Sequence, residues 1–236
     1  MLRKIALATL MMFGLSAAVR ADIVIDTFTD AATVNYQINL SNGNPLTLTP
    51  VLLPSGFGRT TYLEVVSPTP PNFNSVSGSI GGGTFSVDTN NSSQVFATLT
   101  YAGISDFSGG TGIRLDFVNL NPGNTSTSVA LDMPISVSIA TGTGTLTSTV
   151  NVAGSGAPFP VNLPFASFTG TGNLADVTGL AITLNSGGPT GRIASDFVLD
   201  NVVVPTNVIP APPALVLAFA AAPMLLVRRW AARKSA

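Results

Sequence analysis

Two stretches decide the fold: Ile113-Arg114-Leu115-Asp116-Phe117 and Ile135-Ser136-Val137-Ser138-Ile139. In both, every second residue is large and apolar while the residues between are charged or hydroxylic. Successive side chains of an extended strand point to opposite faces, so each stretch reads as a strand with one buried and one wet face. Val95, Ala97, Leu99 and Tyr101 repeat the pattern against Thr98 and Thr100, as do Leu180, Ile182 and Leu184 against Ala181 and Thr183. Clusters of Gly, Asn, Ser and Pro separate these runs, and no helical period competes with them. Roughly a dozen such runs would leave too much apolar surface wet in a single sheet. The expectation is an all-β, two-sheet β-sandwich of jelly-roll type, with Thr and Ser keeping its surface soluble. A β-solenoid would need a repeat of fixed period, which the sequence lacks.

Working outward, both ends are apolar and basic. Arg3 and Lys4 precede the apolar stretch Ile5 to Val19, followed by small residues, which reads as a secretory signal peptide over residues 1–21. Val19 and Ala21 are the small residues of the expected cleavage site, with cleavage after Ala18 as the alternative. Residues 22–204 form the expected exported β domain, one domain by length. It holds three cations, Arg59, Arg114 and Arg192, and all eleven acids, a formal charge of −8. That sign repels phosphate backbones, so nucleic acid is not an expected partner.

The chain has no Cys and no His. The core must therefore hold the fold without disulfides, and the usual Ser-His and Cys-His nucleophile arrangements are excluded. Glu64 is the domain's one Glu among ten Asp. A paired-carboxylate hydrolase is the remaining catalytic arrangement, and the domain is expected to be non-enzymatic. Asp22, Asp88, Asp106 and Asp176 read as turn or cap residues. The glycines at 170 and 172, and those at 81–83, read as turns rather than nucleotide or calcium motifs. Calcium is the ion that this composition allows, since it accepts carboxylates without His or Cys, and Asp26 and Asp200 are the proposed structural ligands if their strands meet at one edge. The closing Leu199-Asp200-Asn201-Val202 resembles the last strand of jelly-roll carbohydrate-binding modules, a resemblance that implies such a calcium. Sugar-binding modules stack pyranose rings on aromatic side chains, and the domain's Tyr residues are Tyr36, Tyr62 and Tyr101; most Phe, such as Phe117, fall on the apolar side of their strands.

A Pro-rich linker covers residues 205–213, and the 14 residues Ala214–Val227 are wholly apolar, short of the roughly 20 that span a bilayer. Arg228, Arg229, Arg233 and Lys234 follow, and by the positive-inside rule they stay cytoplasmic. Residues 210–236, with Pro210, Ala211 and Pro212 ahead of a short apolar helix and a basic end, resemble the PEP-CTERM sorting domain of Gram-negative-type bacteria. The resemblance implies recognition of the tripeptide by an exosortase-type membrane transpeptidase after signal peptidase and the export machinery have acted, then release to the cell surface or exopolysaccharide matrix. Ala211 stands where that family usually has Glu. The same residues also fit an ordinary membrane anchor. Ile25-Asp26-Thr27-Phe28, Gly112 to Phe117, Leu163 to Phe168 and Asp196 to Asn201 resemble the β domains of surface proteins carrying such tails, which have no assigned activity. The expected function is a structural or adhesive surface protein, with a carbohydrate-binding module associated with exopolysaccharide as the alternative.

Overall fold

The computed structural model describes residues 21–30, 32–39, 44–66, 75–89, 93–104, 106–123, 132–185 and 195–206. Asp22–Thr206 forms a compact unit. Its strands are β1 (Ile23–Asp26), β2 (Val34–Asn39), β3 (Leu46–Leu52), β4 (Gly58–Val66), β5 (Ser75–Gly81), β6 (Thr84–Thr89), β7 (Gln94–Ala102), β8 (Gly112–Asn121), β9 (Met133–Thr141), β10 (Gly144–Val152), β11 (Phe159–Pro164), β12 (Thr169–Gly170), β13 (Val177–Leu184) and β14 (Asp196–Val204). They build two seven-stranded antiparallel sheets. The first runs β11-β8-β14-β6-β5-β2, with β1 also paired to β14; the second runs β12-β10-β9-β13-β7-β4-β3. This is the expected β-sandwich.

The alternating patterns become the two inner faces. Ile113, Leu115 and Phe117 of β8 and Ile135, Val137 and Ile139 of β9 are buried in one core. Along the first sheet a chain of rings fills that core: Phe85 meets Phe197 edge-on at 5.5 Å, and Phe117 stacks on Phe159 at 5.6 Å. Such pairs add to the apolar burial, each by about 0.5–1.5 kcal/mol. Gly82 and Gly83 turn β5 into β6 with φ of +66° and +99°, the left-handed geometry that a tight hairpin needs. Gly78 serves by close approach instead. The Tyr36 ring lies where its side chain would stand, and the Tyr36 hydroxyl reaches over β5 to donate to the Ser86 carbonyl. That reach pins β2 to β6.

One polar cluster ties the sheets together. Arg59 of β4 points inward in phase with Leu63 and Val65, and it is 2% exposed. Its guanidinium donates to Asp26 of β1 at 2.8 Å and to Asp30, while the Phe28 ring lies 5.3 Å away. Tyr101 of β7 donates to Asp26 at 3.1 Å, and the Phe28 backbone N–H donates to the same carboxylate at 2.7 Å. Folding residues 26–30 around the guanidinium puts Phe28 at φ 50°, a conformation that costs about 1–3 kcal/mol in a non-glycine residue. Burial is the largest influence on Asp26 and raises it above the ordinary carboxylate value, against Arg59. Burial opposes the charge of Arg59 as well, but Asp26 and Asp30 more than compensate and raise it further. The cation therefore stays charged.

Among the described residues no helix is long and apolar enough to cross a membrane. The expected helix 214–227, the basic residues after it, the Pro210-Ala211-Pro212 tripeptide and Val19 lie outside the described residues.

Removing one partner of a buried ion cluster strands the others. Arg59→Ala is expected to lower the unfolding free energy by about 3–5 kcal/mol in urea titrations of the full chain. Adding Asp26→Asn and Asp30→Asn should recover most of it. A single variant within about 1 kcal/mol of wild type would show that the cluster does not tie the sheets.

Candidate functional site

The outer face of the first sheet is polar across five strands. Register places Asn35 opposite Ser79, Ser79 opposite Ser86, Ser86 opposite Val198 and Val198 opposite Asn119, one row running through β2, β5, β6, β14 and β8. The next row sets Gln37 opposite Ser77, Ser77 opposite Asp88, and Asp196 opposite Asn121. Between them lies an open groove of about 440 Å³. Phe197 lines it without its ring, which is 1% exposed and packed in the core.

The groove is held by hydrogen bonds within its own wall. The Thr89 amide donates to Asp196 Oδ1 at 2.8 Å, the Asn121 amide to Asp196 Oδ2 at 3.4 Å, and the Ser79 amide to Ser86 Oγ at 3.0 Å. Burial is the main reason Asp196 sits above the ordinary carboxylate value. The Thr89 amide opposes that rise, and Asp88 adds to it. Amides both donate and accept, carboxylates accept and hydroxyls do either, so such a wall suits a ligand rich in hydroxyl groups.

A second depression of about 400 Å³ lies between β10 and β11, lined by Thr147, Thr149, Asn162 and Pro164, with Ser148 Oγ and Ser167 Oγ 3.1 Å apart. It holds no carboxylate.

Asp26 and Asp200 do belong to paired strands, with Asp26 opposite Val202. The two carboxylates sit in different surroundings. Asp26 is turned into the sandwich, where Arg59, Tyr101 and the Phe28 amide already donate to it. Asp200 sits at a register shift in β14, half-buried, and accepts from the Asn201 amide at 2.7 Å. Among the described residues no group of three or more acids gathers in a way that could hold a metal ion. Ala21 is exposed ahead of β1.

Of the residues read as turn formers, Asp106 accepts from the Ser108 amide at 2.7 Å, but Asp88 stands on β6 and faces the groove. Tyr36 and Tyr101 are core residues at 8% and 0% exposure, which leaves Tyr62 as the half-exposed tyrosine. Sequence reasoning passed over Arg59, although its phase with Leu63 and Val65 already placed it inward. It also passed over Phe96, which the alternation of Val95, Ala97 and Leu99 places outward.

No family model matches the sequence, and neither does any curated protein. Among solved structures the chain is similar to a family 11 carbohydrate-binding module from Clostridium thermocellum in complex with a β-1,3-1,4-mixed-linked tetrasaccharide, at 14% identity and TM-score 0.41, covering 80% of this chain and 98% of that one. The family 11 module of the cellulosomal cellulase Lic26A-Cel5E of Clostridium thermocellum aligns at 13% identity and TM-score 0.40, covering 80% and 96%. TmCBM61 in complex with β-1,4-galactotriose aligns at 9% identity and TM-score 0.27, covering 71% and 94%.

Because the folded state favours protonated Asp196, its contribution to stability is complete below the unfolded value near 3.8 and is lost as pH rises through the higher folded value. Asp196→Asn should therefore gain stability relative to wild type across that rise. Melting temperatures of both proteins between about pH 3 and 7 check this; parallel curves would rule it out.

Proposed function

We propose that this chain is an exported, non-catalytic surface or matrix protein whose β-sandwich binds neutral glycan through the groove on the outer face of the first sheet. The observation that carries the reading is the groove itself, in which Asn35, Ser79, Ser86, Asp88, Asn119 and Asp196 face outward from five adjoining strands. A sugar presents donors and acceptors in alternation, and this wall offers both. Charge narrows the class. Arg59 is spent on buried carboxylates and Arg114 lies beside Asp22 and Asp116, so a polyanion would meet the domain's −8 largely uncompensated.

Delivery belongs to the same proposal. Export through the signal peptide and handling of the Pro210-Ala211-Pro212 tail by an exosortase-type enzyme would bring the sandwich to the exopolysaccharide.

Two experiments test the two halves. In native gels cast with a β-glucan, xyloglucan, galactan or dextran, the full chain in detergent should be retarded by at least one polymer. Asp88→Ala and Asn119→Ala should each weaken that retardation by about 10-fold, the loss of roughly one well-placed hydrogen bond to a charged or amide group. No retardation by any neutral polymer would return the sandwich to a purely structural or adhesive role.

For delivery, intact mass is measured on protein from the membrane, surface and medium fractions of the host. A chain ending between Pro210 and Pro213, absent in an Ala211→Lys variant, is the expected result. A chain running to Ala236 in the membrane fraction would make the tail a plain anchor.

A further inference from the structure

The strands of the second sheet carry two charged side chains, Arg59 and Glu64. Arg59 is inside, so the outer face of these strands bears Glu64 alone. Most of the rest of that face is hydroxylic. Register lines up Thr149, Ser136, Thr183, Thr98, Tyr62 and Thr47 in a single row across β10, β9, β13, β7, β4 and β3. Neighbouring hydroxyls in it pair with each other, Thr98 with Thr183 at 3.2 Å and Thr149 with Ser136 at 3.4 Å.

Tyr62 interrupts this row, and Phe96 and Glu64 stand in the next outward row. Tyr62 lies opposite Thr98 and Glu64 opposite Phe96, which makes Tyr62 and Phe96 diagonal neighbours on the same face. Diagonal side chains of an antiparallel pair lie about 7–8 Å apart, within the span of one or two pyranose rings. Both rings are half-exposed. The Tyr62 hydroxyl donates to Glu64 Oε2 at 3.2 Å, so the carboxylate is held at the edge of the ring. The backbone beneath is fixed from the far side, where the Asn44 side chain bonds both the amide and the carbonyl of Val65 at 2.8 and 2.9 Å.

We infer that Tyr62, Phe96 and Glu64 form a second sugar site, a stacking platform for the apolar face of a neutral pyranose, with Glu64 accepting from the hydroxyls at its rim. Amphipathic rings supply a flat apolar surface next to a polar handle, and a pyranose is built the same way. The flanking hydroxyl row extends the platform along a polymer without adding charge. This site does not depend on the groove of the first sheet. Its consequence does rest on that reading: the two sites face away from each other on opposite outer faces of the sandwich, so one domain would bridge two polysaccharide chains and gain avidity in a matrix.

The test uses the full chain in detergent and the same four polymers, with gel retardation reporting binding and solution viscosity reporting bridging. Expected for Tyr62→Ala is about a 10-fold weaker retardation and no viscosity rise. Tyr62→Phe, which keeps the ring, should restore both. Combining Asp88→Ala and Asn119→Ala should abolish the viscosity rise but leave retardation that disappears only when Tyr62→Ala is added. Tyr62→Ala and Phe96→Ala with wild-type retardation and viscosity, at unchanged melting temperature, would overturn the platform. Wild-type retardation in the groove variant, with loss in Tyr62→Ala, would overturn the groove and leave the platform standing. Absence of retardation in the wild type would overturn both.

Discussion

A guanidinium buried between two sheets sets the terms for this molecule. Arg59 rises from β4 of the second sheet, and Asp26 at the end of β1 comes from the first. Neither charge is tolerable in the core alone, since an unpaired buried ion costs several kcal/mol even after relaxation. Their meeting therefore requires the two sheets to stand in one alignment, and Tyr101 tightens the requirement by donating to the same carboxylate. A chain without cysteine has no covalent means of fixing that alignment. Against a hydrophobic replacement of equal volume the ions need add no net stability; what they add is intolerance of slippage. The left-handed Phe28 is the local strain that this closure imposes.

With the inner faces fixed, the strand alternation decides the outer ones, and it gives them unlike chemistry. The first sheet exposes amides and carboxylates along β2, β6, β8 and β14, and the second exposes Thr and Ser with one carboxylate. Among the described strands, outward charge is therefore gathered mainly on the first sheet. The two faces can hold different partners, or the same kind of partner by different contacts, without competing for side chains.

Much of this was legible beforehand, for a simple reason. Period-two alternation is local, so β7, β8, β9 and β13 can be read strand by strand, and the abundance of one-sided strands implies two sheets. The phase slip in β8 was not legible. Val118 is an extra residue between the pairs Phe117–Leu199 and Asn119–Val198, and it turns Asn119 toward the groove while Leu120 returns to the core. A bulge is fixed by the partner strand, which lies some eighty residues away. The groove was hidden for the same cause: Asn35, Ser79, Ser86, Val198 and Asn119 are unremarkable as single outward residues and become a row only through strand order. Asp26 was read as a calcium ligand because its negative charge was visible and its partner was not. The inward phase of Arg59 was the available signal, since an inward cation demands an inward anion.

The acidic bias of the domain then acts as a filter on what can approach. At physiological salt the field of a charged surface fades over about 8 Å, so distant repulsion is weak, but a polymer seated in the groove lies inside that range of Asp88 and Asp196. There a polyanion must either bring cations with it or force protonation. Asp196 already sits above the ordinary carboxylate value with no second charge present but Asp88. A neutral polymer meets neither cost. In the proposed reading it would use the same carboxylates as acceptors, and the Thr89 and Asn121 amides hold Asp196 in place. In the proposed reading, the strain on Asp196, from its burial first and from Asp88 second, would be what discriminates among ligands. Relief of it by a nearby arginine would steady the fold and blunt that choice.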